Sequence, residues 1–216
     1  MIVSMWMTRN LVVISPYTLI VEAAALMAQN HIRRLPVVEK RDGSHYPVGI
    51  ITATDILHVY PPEVNPFAVM PRDISEAHMT AAQVMSRTLQ TIEPETPLEE
   101  AARLMRNAKI STLLVVQKAK LVGLITESDI FRAFVGIFEP TFGNVRITFE
   151  IESEEDTFGF IAPFALRWGV RVVSLLSISQ GDRQLCVIRL AGDVGDELLA
   201  ELWRSGHRVL NVLRLT

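Results

Sequence analysis

The chain has 216 residues, 49% hydrophobic and 21% charged, with a formal net charge of −3 and a single cysteine, Cys186. That length carries one large domain or two modest ones with ample material for a core, and the slightly negative balance offers no general attraction to nucleic acid. A lone cysteine excludes an intrachain disulfide and favours a reducing, cytoplasmic setting, and the apolar runs fall short of the roughly 18 residues of a membrane-spanning helix.

From the first residue the text reads as a signal-free start, because Met1 to Met7 lacks a basic region and a cleavage site. Leu11 to Ile14 is expected as a short strand, followed by a Pro16 turn and an amphipathic helix over Val21 to Asn30. A strand over Leu35 to Val38 then reaches the phrase Gly49-Ile50-Ile51-Thr52-Ala53-Thr54-Asp55-Ile56, a strand running into a helix from Thr52. The same order returns downstream. Met85-Ser86 answers Met7-Thr8, and Pro94 answers Pro16, 78 positions on (94 − 16). A strand over Leu89 to Ile92, a helix over Leu98 to Asn107 and a strand over Leu113 to Val116 lead to Gly123-Leu124-Ile125-Thr126-Glu127-Ser128-Asp129-Ile130. At these glycines the offset is 74 (123 − 49), so the first copy carries four extra residues, assigned to a hairpin turn at Arg41-Asp42-Gly43-Ser44. Such internal repetition marks a duplicated structural unit.

Between the copies, Tyr60 to Pro71 holds four prolines and reads as a linker. After Pro140 the pattern changes to strand Asn144 to Ile151, helix Asp156 to Trp168, strands Val170 to Ser179 and Gln184 to Leu190, helix Asp193 to Arg204 and strand Arg208 to Leu215. That order, βαββαβ, predicts a compact α+β unit with its helices on one face of an antiparallel sheet.

Thr-x-x-Asp at a strand-to-helix junction has a structural explanation: Thr52 and Thr126 cap a helix, and Asp55 and Asp129 at the third helical position favour its dipole. Two copies at equivalent places add a second meaning. Both Gly-x-x-Thr-x-x-Asp phrases and the block His31-Ile32-Arg33-Arg34-Leu35-Pro36-Val37-Val38 resemble those of CBS domains, whose tandem pair is called a Bateman module. The resemblance covers roughly residues 1–137. It implies two units packed about a pseudo-twofold axis, with two clefts for adenosine-containing ligands such as AMP, ADP, ATP or S-adenosylmethionine. By that resemblance Asp55 and Thr52 serve one cleft and Asp129 and Thr126 the other, the carboxylates accepting ribose hydroxyls. The backbone near Ile14 and Ile92 is expected at the adenine edge, and His31, Arg33 and Arg34 are expected at phosphate. In the second copy Lys109 and Thr112 hold the matching places without an arginine. Its phosphate contacts are therefore expected to be weaker, with Arg132 available to compensate.

The C-terminal unit resembles an ACT domain, a ferredoxin-like fold, with Asp156, Thr157 and Gly159 as a candidate ligand loop. Phe158 stands where many ACT domains have proline, and the acidic run Glu152 to Asp156 also suits a helix start. Two CBS units followed by an ACT-like unit resemble the acetoin-utilisation regulatory proteins of the AcuB type. The implied layout is a first CBS domain over 1–62, a linker over 63–80, a second CBS domain over 81–138 and an ACT-like domain over 140–216. Cys186 reads as a core residue, the histidines show no metal-ligand spacing, and no hydrolase or phosphate-loop motif is present. The expectation is a non-enzymatic regulator with no catalytic cofactor and no membrane or nucleic-acid partner, acting on an unidentified protein. The alternative is a constitutive scaffold that binds no nucleotide. Ile56, Leu57, Phe131, Phe134 and Val135 are expected to form an apolar helical face that pairs two copies into a homodimer.

Overall fold

A computed structural model describes residues 1–59, 78–138, 143, 145–152 and 155–214. The proline-rich connector, Asn144 and Leu215 lie outside the described residues. The chain divides into two compact units, Met1–Phe134 and Val135–Thr216.

In the first unit each repeat is a helix, a hairpin and a closing helix. The first has α1 (Ile20–Gln29), β1 (Arg34–Arg41), β2 (Ser44–Thr52) and α2 (Ala53–Val59). A short α3 (Ala81–Val84) leads to the second, with β3 (Thr91–Ile92), α4 (Leu98–Ala108), β4 (Thr112–Gln117), β5 (Lys120–Thr126) and α5 (Glu127–Phe138). The strand expected over Leu11 to Ile14 is reduced to one parallel bridge, Ile14 to Val37, and its counterpart is the two-residue β3, parallel to β4. A chain crossing a sheet end for one or two residues has too little alternation to announce itself as a strand.

The four extra residues do not enlarge the turn. Both hairpins close through two residues in the left-handed region, Asp42-Gly43 (φ 48°, 72°) and Lys118-Ala119 (φ 51°, 63°), the conformation that matches strand twist. Both also carry a bulge at the same place, between Val37 and Val38 and between Val115 and Val116. The first ladder simply runs two rungs further, Lys40 to His45 and Arg41 to Ser44.

The repeats exchange their opening segments. Thr8 and Leu124 trade N–H···O bonds of 2.9 and 3.0 Å, and Ser86 and Ile50 do the same at 2.9 and 3.0 Å. The preceding methionine then lies across the other repeat's glycine: a Cβ on Gly49 would stand 2.2 Å from Met85 Sδ, and one on Gly123 2.6 Å from Met7 Sδ. Accordingly Ala81 and Met85 belong to the first repeat's core, with Ile20, Met27, Leu35, Ile51 and Ile56, while Val3 and Met7 belong to the second's, with Leu98, Met105, Leu113 and Ile125. Ile56, expected on an exposed face, is fully buried. Its neighbour Leu57, with Phe131 and Phe134, remains exposed.

The second unit contains β6 (Val145–Glu152), α6 (Thr157–Arg167), β7 (Arg171–Gln180), β8 (Arg183–Ala191), α7 (Asp196–Arg204) and β9 (Arg208–Arg214). Its sheet runs β7-β8-β6-β9, every pair antiparallel. Alternation along β6 buries Val145, Ile147, Phe149 and Ile151 against Ile161, Phe164, Leu198 and Leu202 of the two helices, with Cys186 in the same core. With Gly195 as its cap, α7 starts at Asp196, three residues inside the expected start, and Val194 before it is buried in that core. A polar array around the buried His207 ties the loop before α6 to the start of β9. Ser205 Oγ donates to Leu202 O at 2.7 Å and lies 2.7 Å from His207 Nδ1, while His207 Nε2 lies 3.0 Å from Glu155 Oε1.

The exchange predicts that Gly49→Ala and Gly123→Ala each lower the urea midpoint, by the equivalent of about 1–3 kcal/mol of overpacking. Gly123→Ala should cost more, because the added methyl meets the backbone carbonyl of Thr8 at 3.0 Å as well as a side chain. A Met85→Ala background should remove most of the Gly49→Ala penalty. Equal penalties in both backgrounds would show that the methionine is not the obstacle.

Candidate functional site

Each Thr-x-x-Asp phrase straddles a junction without a loop: β2 ends at Thr52 where α2 begins, and β5 ends at Thr126 where α5 begins. Thr52 N and Oγ1 both donate to Asp55 Oδ2 at 2.7 Å, and Asp55 N returns a bond to Thr52 Oγ1 at 3.2 Å. In the second copy Thr126 N and Oγ1 donate to Asp129 Oδ2 at 2.9 and 2.7 Å, and Asp129 N donates back at 3.3 Å. This is a reciprocal cap of the kind that satisfies orphan amides at a helix start.

The second carboxylate oxygen distinguishes the copies. Asp55 is partly exposed, and its Oδ1 has no protein partner among the described residues. Asp129 is only 8% exposed, and its Oδ1 accepts from Arg132. Arg132 stands three residues on, where a helical side chain reaches back over the preceding turn. It lines neither cleft and is engaged with Asp129, contrary to its expected place at phosphate.

Two cavities lie at these carboxylates. The Asp55 cleft encloses about 430 Å³ and is lined by Thr52, Ala53 and Asp55 of the first repeat and by Thr88 to Gln90 and Lys109 to Thr112 beyond it. The Asp129 cleft encloses about 270 Å³ and is lined by Thr126 and Asp129 with Asn10 to Val12 and His31 to Arg34. Each carboxylate therefore shares its cleft with the basic turn of the other repeat, and Asp55 also with Arg33 and Arg34 of its own. The structure brings His31 to the Asp129 cleft and Lys109 to the Asp55 cleft, and runs Arg33 and Arg34 along both cavities. Ile14 and Ile92 line neither, since their side chains fill the two cores. The lining segments are those four to two residues earlier, Asn10 to Val12 and Thr88 to Gln90. Their signal was present in the repeat, where they occupy matched positions one residue beyond the Met-Thr and Met-Ser pairs, after Arg9 and Arg87.

Polar chemistry inside the clefts is incompletely satisfied. Thr112 Oγ1 is buried at the Asp55 cleft with no hydrogen-bond partner among the described residues, a state that carries a desolvation cost of about 1–3 kcal/mol. Arg34 donates to Ser111 Oγ across the repeats. Burial holds its guanidinium below the ordinary value, the neighbouring Arg33 charge adds to that, and Glu127 opposes both. His31 and Lys109, at equivalent places after α1 and α4, both adopt φ 53°, a left-handed conformation that costs a non-glycine residue about 1 kcal/mol.

In the second unit Asp156 caps α6, its Oδ1 accepting from Phe158 N at 3.1 Å and Gly159 N at 3.0 Å. A Cβ on Gly159 would meet Asp156 Oδ2 at 2.5 Å, so the Asp-x-x-Gly spacing makes room for the cap. Thr157 Oγ1 donates to Gln184 Oε1 at 3.2 Å. Among the described residues no group of His, Cys, Asp or Glu could hold a metal ion, and no helix is long and apolar enough to cross a membrane.

Comparisons with known proteins agree with the duplicated architecture. An uncharacterised protein of Methanocaldococcus jannaschii is 33% identical over 129 residues, 58% of this chain but 30% of that protein. A CBS domain-containing protein of Dictyostelium discoideum is 31% identical over 64% of this chain and 94% of its own length. Among solved structures, a Vibrio cholerae protein named for acetoin utilization (AcuB) superposes with a TM-score of 0.53 at 25% identity, covering 65% of this chain and 98% of its own. CBSX2 in complex with AMP gives 0.51 at 25% identity, covering 64% and 98%. The CBS domain pair of protein MJ0100 in complex with 5′-methylthioadenosine and S-adenosylmethionine gives 0.51 at 26%, covering 63% and 97%. The CBS domain profile matches residues 3–61 and 81–136, more than half of the chain and both copies of the repeat. The chain belongs to the CBS-domain family.

Proposed function

We propose that the protein is a non-enzymatic regulator that binds adenosine-containing ligands, of the class of AMP, ADP, ATP or S-adenosylmethionine, in its two clefts. The observation that carries this reading is the Asp55 site: a capped carboxylate whose Oδ1 has no partner among the described residues, at a cavity of about 430 Å³ with basic groups on its wall. That volume lies within the roughly 300–1,000 Å³ of small-molecule sites. Thr52 holds the carboxylate in orientation, Oδ1 accepts ribose hydroxyls, and Arg33, Arg34, Lys109 and Thr112 meet phosphate or other polar groups. Thr126, Asp129 and His31 do the same in the smaller cleft. Solved relatives holding AMP, 5′-methylthioadenosine and S-adenosylmethionine support the ligand class. Binding acts by differential affinity for two arrangements of the chain, read by a protein partner in the cytoplasm. The βαββαβ unit is an ACT-like relay or dimerisation element, supported by its strand order β7-β8-β6-β9.

A scaffold that binds nothing is favoured by one observation, the Asp129 carboxylate already satisfied by Thr126 and Arg132. A thermal-shift screen with the four ligands separates the readings, because a ligand at 100 times its Kd adds about 2.7 kcal/mol. Asp55→Ala and Asp129→Ala should weaken binding by about 10- to 100-fold, the worth of a charge-assisted hydrogen bond. Unchanged affinity in both, with the fold intact, would reduce the carboxylates to helix caps.

The left-handed residues give an independent check. If His31 and Lys109 are kept for their side chains, His31→Gly and Lys109→Gly should stabilise the unliganded protein by about 0.5–1 kcal/mol while weakening phosphate-bearing ligands. Stabilisation with no loss of binding would remove both from the site.

Pairing of two copies is proposed from the exposed side chains that close the repeats, Leu57 on α2 and Phe131 and Phe134 on α5, the last three 49%, 70% and 42% exposed. Light scattering at micromolar concentration should report about twice the chain mass of 24.2 kDa. Phe131→Glu should shift that value toward one chain, and a wild-type monomer would end the proposal.

A further inference from the structure

The clefts are separate cavities with shared furniture. His31 lines only the Asp129 cleft and Lys109 only the Asp55 cleft, whereas Arg33 and Arg34 line both. Arg34 opens β1, cross-strand from Thr52, and its guanidinium donates to Ser111 Oγ of the other repeat, a residue on the wall of the Asp55 cleft alone. That arginine is therefore turned toward the Asp55 cleft and held there by a neutral hydroxyl. The hold is weak compared with what an anion offers, because a charge-assisted bond to phosphate is about twice as strong as a neutral one. Arg34 is also half-buried beside Arg33, so its charge is partly desolvated and repelled by its neighbour; an incoming anion relieves both conditions.

A guanidinium presents its donors in one rigid plane. Once drawn fully onto a phosphate in one cleft, it neither aims at the second nor keeps an uncompensated charge to attract it. We propose that Arg34 is a shared cation that couples the two clefts: a phosphate-bearing ligand in one lowers the affinity of the other for a second such ligand, while ligands without phosphate bind the two clefts independently. The inference rests on the reading that the clefts take adenosine-containing ligands, and it adds an order of filling. Coupling through Ser111 also makes the clefts unequal, since only a phosphate in the Asp129 cleft has to pull Arg34 away from its present partner.

Calorimetry on the full chain with AMP and with adenosine tests it. Asp55→Asn and Asp129→Asn each leave one cleft intact and supply its separate affinity. For AMP, the second binding step of the wild type should be about tenfold weaker than the weaker of those two values, within the usual range of coupling between sites; for adenosine the wild-type isotherm should be the sum of the two. Arg34→Ala should weaken AMP in both clefts and abolish the departure from the sum. Ser111→Ala keeps the arginine and frees it, so it should tighten AMP in the Asp129 cleft, measured in the Asp55→Asn background, and leave adenosine there unchanged. An AMP isotherm equal to the sum, an equal departure with adenosine, or no effect of Ser111→Ala would each overturn the shared cation while leaving nucleotide binding in place. No binding of either compound would instead end the underlying reading, and the coupling with it.

Discussion

A methionine laid on a glycine of the opposite repeat is the contact on which the first unit depends. Met7 reaches Gly123 and Met85 reaches Gly49, each anchored by a reciprocal pair of backbone hydrogen bonds one residue later. Burying side chains of that size contributes about 1.5–3 kcal/mol each, and it does so in the partner repeat's core. Neither repeat has a complete core without the other's first residues, so the pair folds as one body. The same pinning determines what the clefts are made of. With Thr8 and Ser86 fixed to the opposite strands, the next residues must cross back toward their own sheets. Asn10 to Val12 and Thr88 to Gln90 do so along the cavities.

Electrostatics then builds on this frame at low cost. Each aspartate spends one oxygen on its own helix cap, which orients the carboxylate before any ligand arrives. A fixed carboxylate loses little freedom on binding, the general advantage of preorganisation. The basic side is less settled: Arg34 is partly buried beside the exposed Arg33, and Glu127 offsets only part of the repulsion it feels. Like charges held together in a cavity are a costly arrangement in an empty protein and a favourable one around an anion.

The sequence made the duplication legible because its signals are local: two strand-to-helix phrases, matched prolines and matched methionines. The βαββαβ order was legible for the same reason, since β6 alternates without interruption and Asp156 marks the start of α6. Features that depend on two distant segments were not. The hairpin insertion was placed in the turn because Asp42-Gly43 is the conspicuous turn signal, yet the second hairpin manages the same left-handed pair with Lys118-Ala119, so the added length went into the ladder. Ile56 was assigned to an exposed face because a seven-residue helix shows too little periodicity to tell its inner side. The array Ser205-His207-Glu155 spans about fifty residues and has no spacing that would flag it. Above all, nothing local in the sequence says which basic turn stands at which carboxylate: His31 of the first repeat lines the Asp129 cleft, Lys109 of the second lines the Asp55 cleft, and Arg33 and Arg34 line both.

This crossed assembly changes how the two clefts can diverge. If each repeat furnished its own cleft, one copy could drift to silence while the other kept the activity. Here each cleft takes its carboxylate from one repeat and a basic residue, Lys109 or His31, from the other, with Arg33 and Arg34 on both walls, so a change in either copy touches both. The present differences follow that rule. Replacing the Arg33-Arg34 pair by Ser111-Thr112 in the second copy weakens the private cations of the Asp55 cleft, and that cleft is the larger of the two, its second carboxylate oxygen without a partner among the described residues. Placing Arg132 three residues after Asp129, where the first copy has His58 after Asp55, engages the carboxylate of the cleft that retains His31. Strength on one wall is thus set against weakness on the other in both cavities, and the arginines left between them belong to neither.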